Sequence, residues 1–376
     1  MDVVIVNGLD DVVAVQSEIS LVDGERGKLI YRGMRAEDVA SRHTFEEAAY
    51  LIWHGRLPAS WEHAEMRAAL ADNRDLPLHV QTIINALPEG TGVMDTLRTA
   101  VSSLGAGMTF PASMSEMVSI TAKIPTVITH WLARKKGITP TPAPSGIGHV
   151  EYFLYALHGE LPSQAHADAL NVYWILSMEH GMNASTFAAR VTASTQTDLA
   201  SALCAAIGAM KGPLHGGAPS EVFEMLDEIG SADHAESWLR DKLDRQERLM
   251  GFGHRVYRTY DPRAAALRAV VRKHAAEDPW FSLAERVETT ALALLKEYKP
   301  QRPLYTNIEY YAAAVMRALQ IPKELYTATF TASRIVGWCA HILEQEAHNR
   351  LIRPQSTYDG PLPEPLFPSE ATAVDA

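Results

Sequence analysis

Three histidines stand in stretches of the chain that glycine and proline interrupt. His215 lies in residues 211–217, which read Lys-Gly-Pro-Leu-His-Gly-Gly between two segments of helical periodicity. His180 precedes Gly-Met-Asn, and His254 follows Gly-Phe-Gly. An imidazole held on a rigid turn is suited to exchange a proton or to hydrogen-bond a substrate. The alternative is a helix-breaking loop that happens to contain a histidine, because glycine and proline commonly punctuate helices.

Three arginines and a glutamate are also candidates for binding or catalysis because of their positions in the sequence. Arg263 falls in the first turn of a predicted helix, where the helix dipole favours acids rather than bases, so this arginine could have a functional role. The alternative is an arginine that is simply solvated. Arg334 interrupts an apolar helical stretch and therefore needs a partner, which a bound carboxylate could supply. Arg353 precedes a proline near the end of the chain. Glu309 follows the N-cap candidate Asn307, and its position alone favours an ordinary first-turn acid over a functional group.

Several familiar motifs are incomplete or absent in this chain. The Gly-Phe-Gly of residues 251–253 lacks both the third glycine and the preceding strand of a dinucleotide-binding fingerprint, and no P-loop occurs. The three histidines have no partner at the helical spacing of common zinc sites, so we predict no metal. Cys204 and Cys339 are the only cysteines, which excludes a disulfide framework.

The elements that must position these residues are almost all helices. The one strand signal lies in residues 8–33, where valines at 12–15 and the stretch 29–31 predict a short β-hairpin around a glycine turn. The sequence therefore predicts an all-α fold with an N-terminal hairpin. The predicted helices span residues 44–55, 60–72, 77–88, 93–104, 113–136, 149–157, 163–180, 184–195, 198–210, 219–229, 233–249, 262–275, 283–297, 309–319 and 324–349.

The composition excludes some classes of protein. The chain has 376 residues and a formal net charge of −11, with 47% hydrophobic and 21% charged residues, which is typical of a globular protein. The acidic balance argues against non-specific binding of nucleic acid or of an anionic membrane. No signal peptide is evident, and the apolar run at 199–210 is too short to span a bilayer. We expect a soluble cytoplasmic protein with reduced thiols.

Taken together, these stretches resemble the citrate synthase family over nearly the whole chain. The most specific blocks are residues 179–187, 211–217, 250–257, 261–263 and 337–341. The resemblance is to the short, dimeric bacterial type, because the extra N-terminal domain of the hexameric members is missing. It implies a helical fold with a small domain at 219–316 inserted between two parts of a large domain, at 1–218 and 317–376.

The resemblance implies an acyltransferase that condenses acetyl-CoA with oxaloacetate and water to citrate and CoA. Glu309 stands at the position of the family's general base. His215 would hydrogen-bond the thioester oxygen as the enol forms, and His254 would polarise the ketone and protonate the alkoxide. No metal is implied, and the CoA thioester is a co-substrate rather than a permanently bound cofactor.

The resemblance also implies a set of binding residues. The two carboxylates and the keto acid end of oxaloacetate would be bound by His180, Arg263, Arg334 and Arg353.

Arg353 would come from the second subunit of a homodimer. Arg258 would lie near the CoA phosphates, and the backbone of residues 250–254, including Phe252 and Gly253, would receive the adenine.

One departure from the family pattern leaves three hypotheses open. The family usually has aspartate where this chain has Glu309, and a carboxylate displaced by about 1 Å can cost on the order of 10²-fold in rate. The first hypothesis is a citrate synthase that uses acetyl-CoA. The second is a 2-methylcitrate synthase that uses propionyl-CoA. The third is a weakly active paralogue with a regulatory role.

Overall fold

The computed structural model describes residues 6–9, 12–139, 142–275 and 279–361. Within these residues the chain is built almost entirely from helices, which confirms the predicted all-α fold. The α-helices are α1 (Ala36–Arg42), α2 (Phe45–His54), α3 (Ser60–Asp72), α4 (Leu78–Ala86), α5 (Val93–Leu104), α6 (Met114–Lys136), α7 (His149–His158), α8 (Gln164–Ser177), α9 (Ala184–Ala193), α10 (Leu199–Lys211), α11 (Ala218–Ile229), α12 (Ala232–Asp244), α13 (Pro262–Ala275), α14 (Pro279–Tyr298), α15 (Ile308–Ala318) and α16 (Tyr326–Ala347).

The N-terminal strands form a small antiparallel sheet rather than a lone hairpin. Strand β1 (Ser20–Asp23) pairs with β2 (Lys28–Tyr31), which pairs in turn with the short β3 (Met34–Arg35). The predicted second strand is confirmed, but the predicted first strand at residues 12–15 is wrong. The valines there have strand propensity, but Val13 is 87% exposed and has no apolar surface to pack against. Strand propensity depends on such packing.

Side-chain caps fix the start of several helices. The Thr44 hydroxyl accepts the backbone N–H of Glu47, whose carboxylate accepts the N–H of Thr44, and this capping box lies at the predicted start of α2. Ser113 and Glu116 form the same box at the start of α6. Helix α1 was not predicted because it has only seven residues and no side-chain cap at Arg35.

Helix α16 is the centre of the fold. It is buried on nearly every side and packs against α2, α5, α6, α8, α9 and α10. A helix surrounded in this way is apolar all round, so the fully buried Trp338 is expected there, whereas the equally enclosed Arg334 is not. The position of Arg334 is therefore set by a helix that these six others surround.

Helices α13 and α15 connect two groups of elements. They pack against each other, and both also contact α8. Helices α11, α12 and α14 pack against one another, and α11 also contacts α15. The predicted division at residues 219 and 316 stays a prediction. Among the described helices, none is both long enough and apolar enough to cross a membrane.

The turn between β1 and β2 is docked on residues 256–260. The backbone N–H of Arg258 donates to the carbonyl of Gly24 at 2.9 Å. A Cβ atom on Gly24 would lie 2.2 Å from the carbonyl oxygen of Val256, so only glycine fits this approach. The sheet thereby supports the segment that follows His254.

We expect Gly24→Ala to lower the free energy of unfolding by about 1–3 kcal/mol, the usual cost of forcing an extra methyl group into a packed site. Chemical denaturation measures this difference. The matched control is Gly90→Ala, because a Cβ on Gly90 meets no atom of the described residues within 4 Å. Equal stabilities of the two variants would contradict the docking argument.

Candidate active site

One small cavity gathers three of the residues that the sequence singled out. It lies between α8, the 211–217 loop, α13, α15 and α16, and its volume is about 20 Å³, room for about one water molecule. His215, Arg263 and Glu309 come from distant parts of the chain and meet there. The lining residues are Tyr173, Ser177, His215, Arg263, Ile308, Glu309, Ala312 and Phe330.

A larger cavity of about 230 Å³ is lined by residues from 253–261 and 301–307. Its lining includes Gly253, His254 and Arg258, three more of the predicted residues. The His254 Nε2 atom lies 3.4 Å from Arg263 Nη2, so the two cavities adjoin at this pair of side chains.

Two loop segments are bonded together along the larger cavity. The N–H of Gly253 donates to the carbonyl of Tyr305 at 2.7 Å, and the N–H of Asn307 donates to the carbonyl of Gly251 at 2.9 Å. The Asn307 side chain does not cap α15; its Nδ2 donates instead to the carbonyl of Gly253 at 2.9 Å. The loop that carries His254 is thereby fixed to the start of the helix that carries Glu309.

The tautomer of His254 follows from its hydrogen bonds. Its Nδ1 atom accepts the backbone N–H groups of Val256 and Tyr257 at 3.0 and 3.1 Å. Nδ1 is therefore unprotonated, and the proton of the neutral ring is on Nε2. Burial, together with the charge of Arg263, lowers the pKa of His254 to about 4, so the ring is neutral near pH 7.

His180 lies beside His254. The two rings are 5.3 Å apart, edge to face, and His180 Nε2 is 3.2 Å from the hydroxyl of Tyr257. Burial, followed by the charges of Arg263 and His254, holds the pKa of His180 well below its ordinary value. This ring is also neutral near pH 7, and it serves as a hydrogen-bonding group.

A buried ion pair holds Arg263. Its Nε and Nη2 atoms donate to the two carboxylate oxygens of Asp261 at 2.9 and 2.8 Å, a bidentate arrangement. Burial opposes the charge, but Asp261 raises the pKa of Arg263 above its ordinary value. Asp261 also accepts the backbone N–H of Ile308 at 3.1 Å. One carboxylate therefore sets the position of Arg263 and of the residue next to Glu309.

Arg334 is only 2% exposed. Its Nε atom donates to the carbonyl of Ser177 at 2.7 Å, and its guanidinium lies 4.7 Å from the ring centre of Phe330, which lines the small cavity. Burial lowers the pKa of Arg334, while the nearby Glu179 opposes this shift. Within the described residues Arg334 has no ion pair shorter than 4 Å, so its charge is poorly balanced.

Glu309 presents an unpaired oxygen to the small cavity. Its Oε2 atom is buried and has no hydrogen-bond partner among the residues that the structure describes. Burial raises the pKa of Glu309 above its ordinary value, against the opposing effect of Arg263. A buried, unpartnered carboxylate oxygen is costly, and it is typical of sites that act on a proton.

His215 is held by a hydroxyl that two other side chains fix. Its Nε2 atom lies 2.7 Å from Ser185 Oγ. The indole N–H of Trp338 donates to the same oxygen at 3.0 Å, and Asn183 Oδ1 lies 2.7 Å from it. Burial, together with the charge of Arg334, lowers the pKa of His215 to about 4. The ring is neutral near pH 7 and held in one orientation.

Four of the predicted residues are absent from the lining of both cavities, namely His180, Arg334, Arg353 and Phe252. Arg353 is exposed and makes no hydrogen bond or ion pair with the described part of the chain. Phe252 packs its ring 5.2 Å from Tyr310, and its backbone pairs with Thr306. The ring of Phe252 therefore packs into the core, while its backbone contacts Thr306 in the lining of the larger cavity.

Sequence reasoning missed three residues that organise the site, namely Asp261, Ser185 and Tyr257. Asp261 could have been found, since it stands two residues before Arg263 and can pair with it in a helical first turn. Nothing in the sequence pairs Ser185 with His215, because they are thirty residues apart. In the described residues no group of three or more His, Cys, Asp or Glu side chains could hold a metal.

Comparisons with known proteins identify the family of this chain. The family model described as citrate synthase, C-terminal domain, matches residues 8–355. Citrate synthase 2 of Bacillus subtilis (strain 168) is 38% identical over 376 residues, which cover 97% of this chain and 99% of the relative. Citrate synthase of Haloferax volcanii is 38% identical over 368 residues, which cover 94% of this chain and 95% of the relative.

Solved structures show the same relationship. The structure of citrate synthase from Thermotoga maritima superposes with a TM-score of 0.86 at 36% identity and covers 98% of this chain and 99% of the other. A ternary complex of Thermoplasma acidophilum citrate synthase with carboxymethyl-coenzyme A and oxaloacetate gives a TM-score of 0.86 at 30% identity, with coverage of 96% and 98%. The chain therefore belongs to the citrate synthase family and is an acyltransferase of that type.

Proposed function

We propose that the protein condenses acetyl-CoA with oxaloacetate and water to give citrate and CoA. The observation that carries the proposal is the meeting of three kinds of group at adjoining cavities: the unpartnered carboxylate oxygen of Glu309, the neutral ring of His215, and the paired donors of His254 and Arg263. A relative is known in complex with oxaloacetate and a CoA analogue, which supports the same two ligands here.

Glu309 is the proposed general base. Its free Oε2 takes a proton from the methyl carbon of the thioester, and its raised pKa makes it a stronger base than an ordinary carboxylate. Because a thioester α-proton is weakly acidic, the enol oxygen must be stabilised at the same time. His215 is the proposed donor to that oxygen. The single hydrogen of its neutral ring is then on Nδ1, and Nε2 accepts the hydroxyl hydrogen of Ser185, which turns to it from Asn183.

His254 and Arg263 are the proposed donors to the ketone of oxaloacetate. Both His254 Nε2 and Arg263 Nη2 carry a hydrogen, so their 3.4 Å contact is between two donors. An oxygen that accepts from both would satisfy them. The enol carbon then attacks the ketone carbon, and the new alkoxide takes the Nε2 proton of His254. The proton that Glu309 removed from the thioester replaces it, so that both side chains return to their starting protonation states. Water finally hydrolyses the thioester, which releases CoA and citrate.

Oxaloacetate is also the proposed partner of the buried arginines. A carboxylate beside Arg334 would supply the ion pair that the chain itself does not provide. His180, with its neutral ring, is proposed to hydrogen-bond the keto acid end. The larger cavity, with Gly253 and Arg258 in its lining, is proposed to receive CoA.

The small cavity must widen before it can hold these ligands, since it has room for about one water molecule. Its walls come from both sides of the predicted boundaries: Phe330 and His215 from the proposed large domain, and Arg263 and Glu309 from the proposed small domain, 219–316. A cleft that opens and closes between two domains is the motion that we propose.

We expect Glu309→Gln to lower kcat by about 10²–10⁴-fold, because the amide keeps the shape of the side chain but cannot accept the proton. Steady-state release of free thiol measures the rate, and circular dichroism checks the fold. The matched control is Glu151→Gln, which alters a first-turn glutamate of α7. Wild-type turnover of folded Glu309→Gln protein would exclude Glu309 as the base.

Glu309→Asp tests whether the site is fitted to the longer side chain. Aspartate withdraws the carboxylate by about 1 Å, so we expect on the order of 10²-fold lower kcat/KM. A large gain in activity would instead identify a slow or repurposed site and would favour the regulatory hypothesis.

The acyl preference is measured by comparing kcat/KM for acetyl-CoA and propionyl-CoA with oxaloacetate held in excess. We expect acetyl-CoA to be preferred, because one extra methylene in a tight pocket typically costs about 10-fold or more. A preference for propionyl-CoA would identify a 2-methylcitrate synthase. Release with neither thioester, together with measurable oxaloacetate binding, would favour a regulatory paralogue.

We also propose a homodimer in which Arg353 enters the site of the second subunit. Mixing inactive Arg353→Gln and Glu309→Gln subunits should then restore about a quarter of wild-type activity. Half of the dimers are mixed, and one of their two sites carries neither change. Subunit exchange followed by the thiol assay measures this. No recovery of activity, with exchange shown by mass spectrometry, would mean that Arg353 acts within its own subunit.

A further inference from the structure

A row of buried polar side chains leads away from the turn that carries His180. His341 Nε2 lies 3.0 Å from Glu179 Oε1, and His341 Nδ1 lies 2.8 Å from Arg190 Nη1. Arg190 donates to Glu344 Oε2 at 2.7 and 2.8 Å. We propose that this polar relay (Glu179, His341, Arg190 and Glu344) positions His180 for oxaloacetate, an inference that rests on the proposed function.

Glu179 is the end of the polar relay that touches the His180 turn. It is fully buried, and its Oε1 atom accepts the backbone N–H of Gly181 at 2.6 Å and the hydroxyl of Ser20 at 2.9 Å. The carbonyl of Glu179 accepts the hydroxyl of Tyr31 at 2.9 Å. Bonds to Glu179 and to Gly181 thus bracket His180 and fix the backbone on both sides of it.

Glu179 is ionised despite its burial. Burial opposes ionisation, but the hydrogen bond from His341 and the charge of Arg334 outweigh it, so the pKa of Glu179 is lowered. Its Oε2 atom has no hydrogen-bond partner among the described residues, and a Cβ on Gly337 would lie 2.4 Å from it. Gly337 is therefore required at this point of α16 to leave room for the carboxylate.

His341 lies between Glu179, which can only accept a hydrogen bond, and Arg190, which can only donate one. The ionised Glu179 can only accept, so Nε2 of His341 carries the proton. The guanidinium of Arg190 can only donate, so Nδ1 of His341 is unprotonated. The ring is therefore neutral and locked in one tautomer. Any replacement must donate in one direction and accept in the other to maintain the polar relay.

The other end of the polar relay reaches the C-terminal segment. Gln345 Oε1 accepts from Arg190 Nε at 3.2 Å, and Gln345 Nε2 donates to the carbonyl of Arg350 at 3.3 Å. The segment from Arg350 leads to Arg353, the residue proposed to reach the partner's site. The polar relay therefore lies between two elements that are proposed to bind oxaloacetate.

The test compares three replacements of His341 by the dissociation constant of oxaloacetate, measured by calorimetry. In His341→Gln an amide can donate to Glu179 and accept from Arg190, so we expect binding within about threefold of wild type. In His341→Leu we expect binding at least about tenfold weaker, which is about 1.4 kcal/mol. His341→Asn is too short to reach Glu179 and should behave like leucine, which keeps the test valid if the leucine variant does not fold.

His149→Leu is the matched control, because His149 is equally buried and packs against Phe45 at 4.9 Å, away from the polar relay. We expect this variant to bind oxaloacetate with the affinity of wild type, because the ring nitrogens of His149 have no hydrogen-bond partner among the described residues. The KM for acetyl-CoA should stay near the wild-type value in every variant, because the polar relay does not touch the larger cavity.

Equal oxaloacetate affinity of the glutamine and asparagine variants would overturn the proposal. So would weaker binding in the control, or an equal rise in KM for both substrates, since each would indicate a general loss of structure. The outcome is separable from the proposed function, which fails if wild-type protein binds oxaloacetate but releases no thiol. Failure of wild-type protein to bind oxaloacetate would overturn both.

Discussion

The candidate site depends on one buried carboxylate, that of Asp261. It forms two bonds to the guanidinium of Arg263 and a third to the backbone of Ile308. Arg263 in turn approaches His254, and Ile308 precedes Glu309. A buried ion pair adds little stability on balance, because desolvation offsets the attraction, but its geometry is strict. Asp261 therefore fixes the relative positions of groups that lie on α13, on α15 and in the loop before them.

The burial of several arginines in the site determines the protonation states of the histidines. The charges of Arg263 and Arg334 add to burial and disfavour a second positive charge on His180, His215 or His254. The three rings are therefore neutral donors and acceptors whose roles depend on the tautomer. The backbone fixes the tautomer of His254. A neutral imidazole that donates in a low-dielectric site stabilises developing negative charge without first being protonated.

The sequence was sufficient to predict features that depend on neighbouring residues, such as helix starts, and to identify the family from short blocks of residues. It was not sufficient to predict contacts between distant segments. The capping boxes at Thr44 and Ser113 predicted two helix starts correctly, because these bonds span only three residues. The strand at residues 12–15 was misplaced because its valines have propensity without a packing surface. The contacts of Ser185 with His215 and of Glu179 with His341 were not predictable, since nothing local to either residue requires its partner.

The neighbours of Glu309 on α15 explain how the site can hold a glutamate where the family usually has aspartate. The N–H of Ile308 is tied to Asp261, so the backbone at residue 309 cannot retreat to accommodate a longer side chain. The extra methylene must extend into the small cavity. Ala312 lies three residues later on the same face of the helix and also lines this cavity. A small residue there leaves space beside Glu309, which a larger side chain would fill. Ala312 therefore leaves the space into which the carboxylate of Glu309, the proposed base, extends from a fixed backbone.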